Sequence, residues 1–252
     1  PRSLTEAEHA ALLDRCRRAN MALYASPTGG EADPMIAVRL GEQFGLVHLD
    51  HNPGADERGI TALTYVPGSR YIPYSNRPIH WHTDGYYNRP DRQIRGMLLH
   101  CVAQAGEGGE SGLLDHELAY IAVRDADEAL YAALCEPDVM TIPGNREDPR
   151  VMRPDRSGPV FWVDPETGTL QMRYTARARN IVWKAEPQVT AARELLARLP
   201  ETSPHCLRAT LQPGWGLLCN NVLHDRTGFL DQEGEPHRLL YRGRYYDRIA
   251  GT

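Results

Sequence analysis

Apolar and charged residues recur with helical spacing near the start of the chain. Between Thr5 and Tyr24, leucines and alanines are interspersed with charged residues, and Glu8 follows Thr5 by three positions. A threonine with a glutamate three residues later is the capping-box signature of a helix start. The pattern therefore predicts an N-terminal amphipathic helix within residues 1–25, followed by a loop over 26–34.

Most of the remaining chain consists of short apolar runs divided by glycine, proline and other turn residues, a pattern typical of strands. The region 36–74 shows it first, with runs at 45–49 and 60–65. The other predicted strands are 97–103, 160–163, 170–174, 207–211, 216–222 and 239–246, and residues 164–168 form a hairpin turn between the second and third of these. Two further amphipathic helices are predicted, over 117–134 and 188–199.

Many short strands with few helices indicate a mainly β protein with flanking helices and a double-stranded β-helix (jelly-roll) core. The 252 residues contain no internal repeat or linker-like tract, and jelly rolls of this size fold as one unit. We therefore expect a single domain over 1–252. Its jelly-roll core spans 35–247, with helical and hairpin insertions.

Charge and composition exclude several classes of partner. The net charge is −5, and no basic block interleaved with aromatic residues occurs, which argues against nucleic acid. No apolar run approaches the ~20 residues of a membrane span, and the N-terminus has no signal-peptide pattern. The five cysteines form no Cys-x-x-Cys pair. Free thiols suit a reducing compartment, so we expect a cytoplasmic protein.

One short segment carries two candidate metal ligands. His82 and Asp84 are separated by one residue in a stretch predicted to be extended. Side chains two positions apart in a strand share a face, so both could reach one ion while Thr83 points away. A histidine and a carboxylate are two of the three ligands in the set that non-haem Fe(II) oxygenases use.

His80 leaves an alternative open at this segment. It lies on the same predicted face, so His80 and His82 could form the His-x-His pair of a cupin-like site. Such a site normally continues with a carboxylate a few residues later, whereas two tyrosines and an asparagine follow over 86–88. We therefore take His82 and Asp84 as ligands and give His80 a supporting or structural role.

The third predicted ligand is His224, which ends an apolar run and is followed by a polar cluster. A histidine in such a place is often only a buried residue bonded to a carbonyl group. His205 and His237 compete for the role, but both lie beside prolines in predicted turns. Together, His82, Asp84 and His224 would leave half of an octahedral coordination sphere open for a co-substrate and dioxygen.

Three arginines follow His224 on one predicted strand face: Arg238, Arg242 and Arg244. A solvated outer face is the simplest explanation for such a row. If the face instead points into the mouth of the jelly roll, Arg238 could clamp a dicarboxylate co-substrate. The hydroxyl of Ser111, which ends the glycine-rich stretch 106–111, could bind the same carboxylate.

Four stretches in order carry a family resemblance: Trp81–Gly85, Gly108–Asp115, Asn221–Phe229 and Arg238–Arg242. The chain resembles, from about residue 35 to 247, the taurine dioxygenase and 2,4-dichlorophenoxyacetate dioxygenase (TauD/TfdA) family. These are Fe(II)- and 2-oxoglutarate-dependent oxygenases related to gamma-butyrobetaine hydroxylase. The resemblance implies that such a protein uses Fe(II), 2-oxoglutarate and O2, forms succinate and CO2, and hydroxylates or otherwise oxidises a C–H bond of a small molecule.

The resemblance also implies roles for individual residues. His82, Asp84 and His224 would be the iron ligands. Arg238 would hold the distal carboxylate of 2-oxoglutarate with help from Ser111, where much of the family has threonine. Arg242 matches a position that often reaches toward substrate or co-substrate. This chain departs from the family at Asn221 and Val222, which replace a run that is usually acidic and arginine-containing, and at Arg244, which has no standard role.

The substrate is only broadly predicted. Aromatic residues surround the metal segment, and Tyr86 and Tyr87 could stack on a ring or an ammonium group. Core packing is the other explanation for these aromatics. Arg173, Arg177 and Arg179 alternate along a predicted strand and could present a cation to an anion, as could Arg244, although a solvated surface is the simpler explanation for the first three. We expect a small carboxylate- or amine-bearing substrate and leave the oligomeric state open, a homo-oligomer being one option.

Two other functions compete with the oxygenase. A hydrolase or isomerase could use the same three ligands with zinc or manganese, but it would need a water-activating base and no anchor for a dicarboxylate. A non-catalytic jelly-roll binding protein could carry the same histidines as structural residues.

Overall fold

The computed structural model describes residues 3–146, 152–234 and 237–252. Its helices are α1 (Glu6–Ala19), α2 (Met35–Glu42), α3 (His116–Ala126), α4 (Glu128–Leu134) and α5 (Pro187–Thr202). Its strands are β1 (Met21–Ala25), β2 (Ile60–Thr64), β3 (Ile79–His82), β4 (Gly96–Ala103), β5 (Glu107–Gly108), β6 (Ser111–Leu114), β7 (Met140–Ile142), β8 (Arg156–Gly158), β9 (Phe161–Val163), β10 (Leu170–Met172), β11 (Val182–Trp183), β12 (Leu207–Ala209), β13 (Trp215–Cys219), β14 (Leu223–Arg226), β15 (Phe229–Leu230) and β16 (Leu239–Tyr245).

Two antiparallel sheets form the jelly roll, which confirms the predicted fold class. The larger sheet has the order β1-β13-β4-β16-β2, and the smaller has the order β12-β6-β14-β3. Met97, Leu99 and Cys101 alternate along β4 and share an apolar cluster with Leu113 of β6. This cluster packs the two sheets against each other, so residues on their inner faces can meet in one site.

The other face of the larger sheet is covered by helices. Leu98 and Val102 of β4 share a second apolar cluster with Cys16 of α1 and Leu40 of α2. Strand β4 is therefore buried on both faces, which explains its unbroken apolar sequence. None of the described helices combines the length and apolar character that a bilayer crossing requires.

The N-terminal helix starts as predicted but ends earlier. Thr5 accepts a hydrogen bond from the Glu8 backbone and Glu8 bonds back to the Thr5 backbone, so the capping box is confirmed. The helix stops at Asn20, whose φ is +54° and whose side chain donates to Asp115. The following residues join the sheet as β1, so the prediction of helix up to Tyr24 was wrong.

The prediction of strands over residues 36–74 was correct only for β2. Residues 35–42 form α2, in which Ile36, Ala37 and Leu40 are buried at helical spacing. Residues 45–49 form no strand, and Leu49 makes a single isolated bridge to Tyr245. The apolar pieces in this region are too short to distinguish the two periods by pattern alone.

The insertion between β6 and β12 has its own core, formed by α3, α4, α5 and the β9–β10 hairpin. The helix predicted over 117–134 is two helices, because Asp127 adopts an extended conformation and caps α4 by accepting from the Ala129 backbone. The hairpin and the helix at 188–199 are confirmed, α5 being somewhat longer than predicted.

Candidate active site

Pairing of two strands in the smaller sheet brings the two predicted histidine ligands together. In the antiparallel pair β14–β3, His224 lies directly opposite His82, and their ring centroids are 4.2 Å apart. Directly opposed residues of an antiparallel pair project from the same face of the sheet. A bulge between His224 and Arg226 then ends this register.

Both imidazoles are oriented by the backbone. The Nδ1 of His82 lies 2.9 Å from the His80 carbonyl oxygen, and the Nδ1 of His224 lies 2.9 Å from the Val222 carbonyl oxygen. Donation from Nδ1 fixes the tautomer in which Nε2 carries a free lone pair, the form that binds a metal. Burial, together with the neighbouring His224, lowers the pKa of His82 to about 3, so this ring is neutral at pH 7.

Asp84 completes the cluster. Thr83 points away and its hydroxyl accepts from the Tyr174 backbone, as the alternation predicted. The His82 Nε2 lies 3.8 Å from Asp84 Oδ1, and ligand atoms of the two histidines and Asp84 all lie within 4.8 Å of one another. Burial alone would raise the pKa of Asp84, but the charges of Arg242 and Arg244 hold it below its ordinary range.

The cluster fits a divalent metal ion. Asp84 is 5% exposed, and its Oδ2 accepts no hydrogen bond from any described residue. A buried carboxylate oxygen without a donor is costly unless something else coordinates it. Two imidazoles and one carboxylate supply three ligand atoms, which is the donor set of non-haem iron and of catalytic zinc sites.

Asn221 holds the backbone of Asp84 in place, a role that sequence analysis missed. Its amide oxygen accepts from the Asp84 N–H at 2.8 Å, and its amide nitrogen donates to the carbonyls of Asp84 and Ile94. Asn221 itself has a φ of +52°, which asparagine tolerates better than most residues. The only sequence signal for this role was that Asn221 departs from the residue pattern of the resembled family.

We predict that Asn221→Ala and Asn221→Gly both weaken Fe(II) binding at least tenfold, because both lose the hydrogen bonds that orient Asp84. Alanine should also lower the free energy of unfolding by about 1 kcal/mol more than glycine does, since only glycine accepts the positive φ without strain. Metal titration and urea unfolding of both variants separate the two effects. Wild-type metal affinity in both variants would contradict the positioning role.

The three arginines predicted to share a strand face are buried, so the solvated-face explanation is wrong; Arg242 and Arg244 lie on β16, and Arg238 immediately precedes it. Arg238, Arg242 and Arg244 are 5%, 8% and 2% exposed. The Nη1 of Arg242 lies 3.3 Å from each carboxylate oxygen of Asp84. The larger sheet therefore contributes cations to a site whose ligands come from the smaller sheet.

Arg244 is tied to two groups beside the ligands. It forms an ion pair with Asp50 and donates from Nη1 to the Tyr87 hydroxyl at 2.7 Å. Asp50 also accepts from the Tyr246 hydroxyl at 2.7 Å. The Nη1 of Arg244 lies 4.0 Å from Asp84, so Arg244 links the ligand segment to Tyr87.

Arg238 lies at a small cavity that Ser111 and Gly109 also line. Its guanidinium stacks on the Phe229 ring, with 5.1 Å from Cζ to the ring centroid. No carboxylate within the three described segments forms an ion pair with this guanidinium; Asp231 accepts from the Arg238 backbone N–H and contacts the His237 ring, not the Arg238 side chain. The structure therefore brings a buried cation and the Ser111 hydroxyl to one cavity.

The structure sorts the remaining predicted residues. Tyr86 lies edge-on to His82 with ring centroids 6.2 Å apart, and Tyr87 packs against Tyr86 at 5.2 Å. The side chain of His80 is exposed, which leaves only its carbonyl at the site. Arg179 is exposed in a bend outside any strand, so its expected substrate contact is not supported.

The prediction of a strand carrying Arg173, Arg177 and Arg179 was also wrong, because β10 ends at Met172. Arg173 is buried, and its guanidinium donates to the backbone carbonyls of Tyr86, Met140, Gly158 and Arg156. These bonds join the insertion to the ligand segment, so Arg173 has a structural role. The guanidinium of Arg177 lies over the Tyr86 ring, so Arg177 stays a candidate for contact with an anionic substrate.

Several solved structures share this fold. A non-haem iron oxygenase, OrfP, in complex with Fe, succinate and (3S)-hydroxy-L-Arg superposes with a TM-score of 0.69 at 13% identity, covering 96% of this chain and 80% of that one. Asparagine oxygenase with Fe(II), 2S,3S-3-hydroxyasparagine and succinate gives 0.65 at 14% identity, covering 95% and 78%. A taurine dioxygenase from Burkholderia xenovorans gives 0.64 at 20% identity, covering 97% and 81%.

The fold and the ligand cluster together define a metal-binding jelly-roll protein. Residues 28–244 match the family described as taurine catabolism dioxygenase TauD, TfdA family, and the chain belongs to this family. A uridine-5'-phosphate dioxygenase from Amycolatopsis sp is 29% identical over 175 residues, which are 66% of this chain. The match spans 60% of the length of that relative.

Proposed function

We propose that the protein is an Fe(II)- and 2-oxoglutarate-dependent oxygenase that oxidises a C–H bond of a small molecule. The observation that carries the proposal is that the same jelly roll holds two features. A cluster of two histidines and one aspartate has a buried carboxylate oxygen that accepts no hydrogen bond from a described residue, and the buried cation Arg238 faces a cavity without a described carboxylate. Membership in a dioxygenase family supports the same reading.

Each residue takes a role from its position. His82, Asp84 and His224 would hold the iron, and Arg238 with Ser111 would hold the distal carboxylate of 2-oxoglutarate. With iron, 2-oxoglutarate and dioxygen bound, the site would supply an oxidative decarboxylation, to succinate and CO2, that oxidises the substrate. Arg242 would keep Asp84 ionised and oriented.

The tyrosines and Arg244 would form the substrate side of the site. Tyr86 and Tyr87 would cover the ligand segment and keep water from it, while Arg244 fixes the Tyr87 hydroxyl. The position of Asp84 in the ligand set favours hydroxylation, desaturation or cyclisation over halogenation, because halogenases of this class lack that carboxylate.

A hydrolase with the same ligands is a weaker candidate. It needs a base that activates water, and Asp50, a buried carboxylate linked to the ligand segment through Arg244, is engaged by Arg244 and Tyr246 in the described structure. A binding protein would not need two histidines and an aspartate whose ligand atoms all lie within 4.8 Å of one another. The oxygenase accounts for both the ligand cluster and Arg238.

For the substrate we propose a small molecule, with a nucleoside 5'-phosphate as the first candidate because the Amycolatopsis relative is named for one. We also propose that residues 1–252 act as one domain. The five cysteines are free, which suits the cytoplasmic location that we propose for the protein.

The proposed activity predicts a specific spectrum. Adding Fe(II) and 2-oxoglutarate without oxygen should give a weak visible absorption band, because both bind in one site. Zn(II) in place of Fe(II) is the control and should give no band. Admission of oxygen should then produce succinate. A featureless spectrum with Fe(II), together with stoichiometric zinc in protein purified without chelators, would favour the hydrolase.

A further inference from the structure

The segment after β10 runs beside the ligand strand. Thr175 forms an isolated bridge with His82, the Thr83 N–H donates to the Tyr174 carbonyl at 3.0 Å, and the Ala176 N–H donates to the Trp81 carbonyl at 2.8 Å. Arg177 lies two residues beyond this bridge. Its guanidinium reaches the Tyr86 ring, which is itself edge-on to His82.

Two arginines sit on the tyrosines that cover the ligands. The Arg177 guanidinium lies over the Tyr86 ring at 5.5 Å from the centroid, and the Arg153 guanidinium lies over the Tyr87 ring at 5.8 Å. Both side chains are half-buried. The two guanidiniums lie over neighbouring rings, since the Tyr86 and Tyr87 centroids are 5.2 Å apart.

These cations differ from those on β16. Arg242 and Arg244 are ion-paired with Asp84 and Asp50, whereas the described parts of the chain offer no carboxylate in ion-pair contact with Arg153 or Arg177. Two neighbouring cations without a described counter-charge favour an anion between them.

The two guanidiniums also cover one face of each tyrosine ring. A cage for an ammonium group needs open aromatic faces, but guanidiniums already lie over Tyr86 and Tyr87. An amine-bearing substrate would meet two like charges there. The arrangement therefore favours the anionic alternative over the amine.

We propose that Arg177 and Arg153 form a binding site for a phosphoryl group of the substrate, above Tyr86 and Tyr87 and next to the metal cluster. The proposal rests on the proposed function and names its substrate class. A phosphate monoester carries up to two negative charges and three acceptor oxygens, enough to engage two guanidiniums at once. A carboxylate carries one charge and engages one guanidinium in the bidentate manner.

Equilibrium dialysis without oxygen tests the proposal on protein loaded with Fe(II) and 2-oxoglutarate. The probes are uridine 5'-phosphate, uridine, uridine 5'-carboxylate and inorganic phosphate. Uridine 5'-phosphate should bind at least tenfold more tightly than uridine, with the carboxylate between them. Inorganic phosphate should compete with the nucleotide, and added salt should weaken nucleotide binding more than uridine binding.

Variants locate the site. Arg177→Gln and Arg153→Gln should each weaken uridine 5'-phosphate binding about 10- to 100-fold, the range for losing a charge-assisted hydrogen bond, and leave uridine binding unchanged. Arg177→Lys should retain part of the affinity because it keeps the charge. Arg198→Gln, an exposed arginine on α5, is the matched control and should have no effect.

The outcomes separate this inference from the proposed function. Equal binding of the nucleotide and uridine, equal binding of the nucleotide and the carboxylate, or no binding of any phosphate probe overturns the phosphoryl site. Wild-type nucleotide affinity in both glutamine variants overturns it as well. The Fe(II) and 2-oxoglutarate absorption band is recorded in the same samples. A missing band with intact phosphate discrimination overturns the oxygenase alone.

Discussion

Replacing Asp84 with alanine should abolish 2-oxoglutarate turnover and also destabilise the metal-free protein. Loss of a ligand should weaken Fe(II) binding by more than about 100-fold, beyond the effect of removing a group that only supports a ligand. The second effect arises because Asp84 is the counter-charge of Arg242 at 3.3 Å and lies 4.0 Å from Arg244.

The destabilisation should be large because the partners stay buried. Arg242 and Arg244 are 8% and 2% exposed, and Arg244 keeps only Asp50 as a paired carboxylate in the described structure. Removing one partner of a buried ion pair typically costs about 3–5 kcal/mol, since the remaining charge has lost its compensation. Urea unfolding of the metal-free protein measures this cost.

His82→Ala is the comparison that divides the two roles of Asp84. His82 is neutral at pH 7, so its removal leaves no buried charge without a partner. We expect the same loss of metal binding with a much smaller loss of stability. Asp91→Ala, which removes an exposed pair with Arg89, should change neither. Turnover within threefold of wild type in Asp84→Ala would refute the ligand assignment.

Local pattern was enough to predict part of this site. The period-two alternation of extended chain predicted that His82 and Asp84 converge while Thr83 turns away, and the structure shows that geometry. The same alternation predicted that Arg242 and Arg244 share a face, and both lie near Asp84; Arg238, predicted on that face too, precedes β16. These are relations within a few residues, which backbone geometry determines directly.

Relations between distant segments could not be read from pattern. The opposition of His82 and His224 depends on strand register, which the sheet as a whole sets. Arg242 and Arg244 can be buried because Asp84 and Asp50, which are far away in sequence, pair with them. Asp50 and Arg153 lie in segments without a motif, so no sequence signal pointed to either.

The fold shows the same division. The capping box at Thr5 and the hairpin around residues 164–168 were predicted because each is encoded by adjacent residues. Helix α2 was missed because its eight residues contain too few turns to reveal a helical period. The end of α1 at Asn20 depends on a hydrogen bond to Asp115, a tertiary contact.

Replacing Arg238 with glutamine should raise the dissociation constant of 2-oxoglutarate by roughly 30- to 1000-fold. The estimate follows from about 2–4 kcal/mol for truncating one partner of a buried, hydrogen-bonded charge pair, at 1.36 kcal/mol per factor of ten. Arg238→Lys should give an intermediate value because it keeps the charge but loses the planar fork. Ser111→Ala should cost about threefold to tenfold, the range for one neutral hydrogen bond.

The stability of Arg238→Gln should contrast with that of Asp84→Ala. Without 2-oxoglutarate, the Arg238 guanidinium has no ion-pair partner among the described residues, and only its stacking on Phe229 is lost on substitution. The metal-free variant should therefore unfold within about 1 kcal/mol of wild type. Anaerobic titration of the Fe(II) absorption band measures the 2-oxoglutarate affinity. If Arg238 binds the co-substrate, removing its charge must weaken 2-oxoglutarate binding. An unchanged dissociation constant with intact Fe(II) binding would therefore show that Arg238 does not bind the co-substrate.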